Sequence, residues 1–367
     1  MKKKDPIEEV RNHPLVSYFK SQEKEIPKDS INLKWENMMR GMELETVTHH
    51  SRKIWNLYVK LAGVAAVMAG MLIGGYYFIY DNNSRSLDKA IARLNESSVD
   101  TISQVMLITQ AEQHIEAGKE ADIVYSEKGK VSVNQYIVEE APEKVSFNQL
   151  IVPKGKSSKL LLADGTSLHI NAGTKVIYPS TFSGKTREIY VDGEIYIDVK
   201  KNTEQPFIVK TPNFDIRVTG TAFNVNAYKS MKESEVVLVR GSIVVKDHNN
   251  CETEVKPNEL LSFADGAVSS KRIVDTSEYT AWTRGYFPLQ GRSIKSILQR
   301  LSLYYGCNLT CDPSVYTLSL EGTIDMSVSI DKVLERIAQI HPIVINKTSD
   351  GYHLYMRNAT NNINNNN

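Results

Sequence analysis

Residues 160–171 read LLLADGTSLHIN. Two apolar-leaning runs flank Asp164-Gly165, and Asp164, Ser167 and His169 fall close together. The stretch is either a catalytic loop or a β-hairpin, and the fold class turns on which. Asp-Gly between alternating strands is the strongest short signal for a two-residue type I′ turn, because both central residues need positive φ. With that turn Ala163 faces Thr166, Leu161 faces Leu168 and Leu160 faces His169. His169 then stands across from a leucine and Ser167 lies beside Leu162, so no nucleophile is set against a base. The hairpin reading predicts strands here and assigns no catalytic residue.

The same grammar extends on both sides. Asp192-Gly193 and Asp265-Gly266 also sit between alternating apolar strands, and VMLIT (105–109), ADIVYS (121–126) and KVSVNQYIV (130–138) are short β-branched runs. The Asp-Gly turns are unevenly spaced, so no exact repeat is present. The expectation is an all-β domain over 120–272, a sandwich or an elongated β roll.

Around residue 273 the pattern switches. SIKSILQRLSLYYG (293–306) puts Ile294, Ile297, Leu298, Leu301 and Tyr305 on one helical face, with Gly306 as a stop. CNLTCD and LSLEGTI read as strands. Ser329 is placed to cap IDKVLERIAQI, with Val333, Leu334, Ile337 and Ile340 inward, and a hairpin closes on Asp350-Gly351. This order predicts a small C-terminal α+β module over 273–356. Cys307 and Cys311 lie four residues apart, about 13 Å along a strand. A disulfide needs Cα atoms within about 7 Å, so both are read as apolar positions beside Leu309, while Cys251 sits in a polar loop. The Asn-rich tail, 357–367, is low-complexity.

Before the β region, Leu61 to Tyr80 reads LAGVAAVMAGMLIGGYYFIY and carries no charge. A helix of that length is about 30 Å long, matching the hydrocarbon core of a bilayer. Trp55 and Tyr58 lie on one side and Tyr76, Tyr77 and Tyr80 at the other end, as expected at headgroup level. Gly70 and Gly74 form a GxxxG. Arg52, Lys53 and Lys60 precede the span, and only Arg85 follows closely. The positive-inside rule therefore predicts a single-pass protein with residues 1–60 in the cytoplasm and residues beyond 80 outside it. Residues 81–119 read as a polar helical stalk and a first strand.

The arm of residues 1–60 is short for a domain. Ser30 can cap a helix in which Ile31, Trp35, Met38, Met39 and Met42 recur at three- and four-residue steps. So short an element cannot bury such a stripe by itself, and Met-rich faces adapt to partner grooves. His49-His50 points to different sides of a helix and is not read as a metal pair. With 44 basic and 43 acidic residues and a net charge of +1, the chain shows no footprint for direct nucleic-acid binding. Nothing calls for a cofactor or a metal.

Three segments carry a resemblance: VPKGKSSKLLLADGTSLHINAGTKVIYPSTF (152–182), REIYVDGEIYIDVKKNTEQPFIVKT (187–211) and VTGTAFNVNAY (218–228). Together they resemble the periplasmic domain of the FecR family, transmembrane anti-sigma factors of the ferric-citrate-regulator type. Asp164 and Gly165 fall in its LxLxDGT motif. Gly193, Glu194 and Tyr196 fall in RxVxLxGEAYFEV, and Gly220, Thr221, Phe223, Asn224 and Tyr228 in the GTxFNVxAY box. Ile195 replaces a small residue, and Thr219 stands where leucine is common. VDTSEYTAWTRGYF and the helix after it resemble the family's C-terminal module, which is similar to the signalling domain of secretins and TonB-dependent receptors. The resemblance covers roughly residues 120–356 and the span.

The resemblance implies placement in the inner membrane, with the N-terminus in the cytoplasm and the C-terminus in the periplasm. It implies an extracytoplasmic-function sigma factor bound by the arm and the signalling domain of an outer-membrane TonB-dependent transporter outside. An intramembrane protease and control of glycan- or iron-uptake genes belong to the same picture. Trp282, Phe287, Leu298, Leu301 and Tyr305 are then the candidates for meeting the transporter. A reading from another class makes the outer region an envelope scaffold or glycan-binding module anchored by one helix.

Overall fold

The computed structural model describes residues 102–109, 114–118, 120–139, 147–289 and 292–357, with helical positions at 68, 70, 71, 87 and 90–92. The arm stripe, the Asn-rich tail after residue 357 and most of the 61–80 span lie outside these residues. Among the described residues no helix is long and apolar enough to cross a membrane. The chain divides into two compact units, Met1–Phe78 and Ile79–Asn367, and every described strand belongs to the second.

In chain order the β region comprises β1 (Met106–Ile108), β2 (His114–Glu116), β3 (Glu120–Tyr125), β4 (Val131–Val133), β5 (Tyr136–Glu139), β6 (Phe147–Val152), β7 (Ser157–Leu161), β8 (Ser167–Ile170) and β9 (Thr174–Pro179). It continues with β10 (Arg187–Asp198), β11 (Phe207–Lys210), β12 (Phe214–Val218), β13 (Ala222–Ala227), β14 (Glu233–Arg240), β15 (Ile243–Asp247), β16 (Glu252–Val255), β17 (Glu259–Ala264) and β18 (Ala267–Ile273). Hydrogen bonding arranges them in two layers. Sheet I runs β2-β1-β6-β9-β10-β11-β12-β15-β16. Sheet II runs β5-β4-β3-β7-β8-β10-β13-β14-β17-β18. Alternating residues of both, among them Leu150, Val176 and Ile189 of sheet I and Leu160, Ile195 and Phe223 of sheet II, form one buried core. This is the sandwich alternative of the sequence reading.

The sandwich begins before residue 120, since β1 pairs with β6. The expected polar stalk also has a buried side: Leu87 and Ala90 pack against Ile177 and Tyr190.

The opening hairpin forms, but its register differs from expectation by one residue. Leu160 pairs with Leu168 and Lys159 with His169. Leu162 N–H donates to the Thr166 carbonyl (2.9 Å) and Gly165 N–H to the Leu162 carbonyl (2.9 Å). The loop is therefore three residues, Ala163 to Gly165, and of these only Gly165 has positive φ, 84°. Asp164 keeps a negative φ because its carboxylate accepts from Thr166 N–H (2.9 Å) and Thr166 Oγ1 (2.8 Å), a local turn that favours this loop over type I′. The slip matters because side chains alternate between faces. Leu160, Leu162, Leu168 and Ile170 now share the core, and His169 lies on the outer face, edge-on to Tyr196 at 6.2 Å. Burial and the neighbouring Lys159 hold the His169 pKa below its ordinary value.

Asp192-Gly193 is not a turn. It lies inside β10, the strand that belongs to both layers. Tyr190 to Asp192 pair with β9 in sheet I, and Gly193 to Asp198 pair with β13 in sheet II. Gly193 has φ 143° and faces Thr174 so closely that an added Cβ would lie 2.6 Å from the Thr174 Cβ. Asp265-Gly266 does form the expected two-residue turn, with φ of 49° and 79° and Ala264 paired to Ala267.

The C-terminal module contains α1 (Thr276–Thr280), a 3-10 turn (Ala281–Arg284), β19 (Tyr286–Pro288), α2 (Ile294–Tyr305), β20 (Asn308–Cys311), a second 3-10 turn (Pro313–Thr317), β21 (Thr323–Asp325), α3 (Ile330–Ile340), β22 (Ile343–Lys347) and β23 (Gly351–Met356). Strand β23 lies between β20 and β22, and β19 pairs with β21. The strand expected over LSLEGTI (318–324) is reduced to β21 at its end, and residues 318–322, which follow the 3-10 turn, form neither helix nor strand. Ser329 occupies the N-cap of α3 without a side-chain cap bond. Val333, Leu334 and Ile337 are buried, but Ile340, where the chain leaves α3, is 74% exposed. Cys307 and Cys311 are partly buried against the module's core, and Cys251 is exposed.

Candidate functional site

Strand β13 (AFNVNA) is buried at all six positions, although a sandwich strand normally shows one face to water. Both of its faces are covered. Phe223 and Val225 point into the sandwich, while Asn224 and Asn226 are buried on the other face, where Trp282 of the C-terminal module reaches Asn224. The register brings a polar row together on that outer face, with Glu194 opposite Asn226 and Asn226 opposite Glu235.

Helix α2 reaches this row. Ser293 caps it by accepting from Ser296 N–H (3.2 Å), and Gly306 ends it in a left-handed conformation. Ile294, Ile297, Leu298 and Leu301 fill the module's own core. Arg300 and Leu303 point the other way. The Arg300 guanidinium lies 3.4 Å from Glu194 Oε1 and 2.5 Å from Glu235 Oε1. Arg292 approaches Glu235 at 3.5 Å and stacks over Tyr279 and Phe287, and Arg300 also lies over the Phe287 ring.

Glu194 is positioned by the sandwich itself. Asn171 Nδ2 donates to its Oε2 (2.8 Å) and Asn224 Nδ2 to its Oε1 (3.2 Å). Trp282 Nε1 in turn donates to Asn224 Oδ1 (2.9 Å). Burial alone would raise the Glu235 pKa, but Arg300 and Arg292 outweigh it and hold the carboxyl below its ordinary value. Burial would lower the Arg300 pKa, and Glu194 and Glu235 reverse that. Burial, followed by the adjacent Arg300, lowers Arg292. Two guanidinium groups thus face two carboxylates, so the formal charges of the cluster balance.

Two glycines of the sandwich meet the helix, one through its amide and one through its missing side chain. Gly155 N–H donates to the Leu303 carbonyl (2.8 Å). A Cβ on Gly173 would lie 2.8 Å from Leu303 Cδ2. Tyr228, from the GTxFNVxAY box, is buried and donates to the Ala172 carbonyl (2.8 Å), which fixes that loop. Burial and Glu194 push its hydroxyl pKa well up.

The other motif residues serve the sandwich. Asp164 pairs with the buried Arg187 at 2.7 Å. Thr221 Oγ1 donates to the Ser242 carbonyl (3.0 Å), and a Cβ on Gly220 would meet Lys201 Cα at 2.7 Å. Of the residues expected to meet a partner, Phe287, Leu298 and Leu301 are buried, Tyr305 is half-buried and donates to the Val328 carbonyl (2.7 Å), and Trp282 is held on Asn224. They are therefore core and joint residues rather than an open surface. The module's exposed apolar side chains are Tyr286, Tyr316, Ile340 and Tyr355.

Sequence reasoning found Glu194, Asn224 and Trp282 but missed Asn171, Glu235, Arg292 and Arg300. A glutamate in the apolar strand IYVDGEIYI was the available signal that a cation must cover it.

Fold and site together define a β sandwich whose motif residues hold a docked α+β module. Residues 148–244 match the family model described as FecR protein, so this segment is a FecR family domain, as its motifs indicated. Two crystal structures of a candidate anti-sigma factor from Parabacteroides distasonis ATCC 8503 share the fold. The 2.50 Å structure is 29% identical with a TM-score of 0.54, covering 57% of this chain and 99% of that one. The 1.65 Å structure is 29% identical with a TM-score of 0.53, covering 57% and 98%. No curated protein matches the chain.

Proposed function

We propose that the chain is a transmembrane anti-sigma factor. The observation that carries this reading is the FecR domain at 148–244, joined to 29% identity with a candidate anti-sigma factor over nearly all of that protein. The arm of residues 1–60 binds an extracytoplasmic-function sigma factor through Ile31, Trp35, Met38, Met39 and Met42. The 61–80 segment crosses the inner membrane once. The sandwich and its module stand in the periplasm and receive the signalling domain of an outer-membrane TonB-dependent transporter, so that uptake genes for a glycan or an iron complex are switched. The protein acts by binding rather than by catalysis and needs no cofactor.

A single membrane helix has no fixed partner against which to hinge. Moving a sigma factor from 1:99 to 99:1 free would demand about 5.5 kcal/mol of differential binding. Cleavage near the span by an intramembrane protease removes that demand and belongs to the same proposal.

Two expected results test the reading. A reporter enzyme active only outside the cytoplasm should work when fused after residue 130 and fail when fused after residue 50; the opposite pattern would overturn the orientation. The full chain should co-purify with its sigma factor, and Trp35→Ala should weaken that capture roughly thirtyfold, since central aromatic anchors commonly carry about 2 kcal/mol. Unchanged capture by the variant would remove the stripe from the mechanism. If instead the arm bound lipid vesicles and no sigma factor, the anti-sigma role would fall.

A further inference from the structure

Independently of the sigma-factor reading, we propose that the outer face of sheet II carries a guanidinium-binding pocket, filled in cis by Arg300, which an arginine-bearing helix supplied in trans can occupy instead.

The sandwich supplies both carboxylates of the pocket and the two amides that hold one of them. Asn171 and Asn224 each hold one oxygen of Glu194, whose side chain is 3% exposed, and Glu235 stands two strands away on the same face. The two carboxylates receive separate arms of one guanidinium, NH1 at 3.4 Å from Glu194 and NH2 at 2.5 Å from Glu235. A planar fork makes that double contact with two donors held at a fixed spacing, whereas an ammonium is a compact point charge on a flexible stem without that pre-organisation.

The groove beside the pocket adds a second requirement. Gly173 leaves room for Leu303, three residues along α2, and the Gly155 amide bonds the Leu303 carbonyl. Residues three apart lie on one side of a helix. The recognised feature is therefore a helix presenting arginine and, three positions on, leucine. A buried ion pair contributes little net stability because desolvation offsets its Coulomb attraction. The pair thus specifies which helix docks, and an equivalent arginine in trans can satisfy the same two carboxylates at the added cost of association.

Hydrogen exchange at the Gly155 amide in the full chain reads docking directly, because its acceptor belongs to α2. Arg300→Gln should speed that exchange at least tenfold while amides in β10 and β13 stay protected. A synthetic peptide of residues 293–306 should restore slow exchange to the variant, and the same peptide with glutamine at the Arg300 position should not. Unchanged Gly155 exchange in the variant would overturn the proposal. So would equal rescue by both peptides, or rescue by neither. If Arg300→Gln loses protection throughout β10 and β13, the same readings are taken on Arg300→Lys, which keeps the charge and loses the fork. The lysine variant should also exchange faster at Gly155 and be rescued only by the arginine peptide.

Discussion

Replacing Gly193 by valine should cost the protein on the order of 4 kcal/mol of stability. Two separate penalties add. The φ of 143° lies in a region that side chains rarely adopt, which costs about 1–3 kcal/mol. The new Cβ would also fall 2.6 Å from both Cβ and Cγ2 of Thr174, and overpacking of a close-packed site costs about 1–3 kcal/mol. Thr174 cannot swing away cheaply, because its hydroxyl accepts from Glu194 N–H (3.0 Å) and donates to the Glu194 carbonyl (3.3 Å). Any displacement moves Glu194 and the docking pocket with it. Denaturant unfolding of the purified chain measures the loss, and Gly193→Ala should lose less than valine. A loss below about 1 kcal/mol for valine would sink this account of the crossover.

The Asp-Gly dipeptides show how far local sequence reaches. Asp265-Gly266 follows its intrinsic preference and makes a two-residue turn. Asp164-Gly165 makes a three-residue loop, because the aspartate engages Thr166 and Arg187 instead of taking positive φ. Asp192-Gly193 makes no turn, because Thr174 and the change of sheet claim that position. Alternation identified the strands, and the three-and-four spacing identified α2 and α3, since those periods follow from the elements themselves. What covers an apolar face is not periodic. Phe287, Leu298 and Leu301 therefore read equally well as an interface and as the core they form. Glu194 and Asn224 were legible through their motifs. The partner Arg300 lies 106 residues from Glu194, and no local pattern joins the two.

Asp164→Ala should destabilise the protein by about 3–5 kcal/mol, the usual cost of leaving one member of a buried ion pair alone. Arg187 is 1% exposed, and its guanidinium lies over the Phe207 ring at 5.1 Å. Its Nε donates to the Gln205 carbonyl (2.9 Å), and NH1 donates to the Lys200 carbonyl (2.9 Å) and to Asp164 (2.7 Å). Carbonyl dipoles solvate this cation, but among the described residues only Asp164 offers it a carboxylate. The alanine variant also removes the acceptor for Thr166 N–H and Oγ1, each bond contributing about 1 kcal/mol. Asp164→Asn separates the two effects. It can still accept from Thr166, so it should keep the turn while losing the charge, and it should show most of the alanine variant's loss. Buried pairs are weakly screened, so the loss should be nearly the same in about 0.1 M and about 1 M salt. An asparagine variant as stable as the parent would mean that the aspartate serves the turn alone, as the hairpin reading of LLLADGTSLHIN supposed. A large loss would make the same residue the counter-ion that ties this hairpin to the strand carrying Glu194.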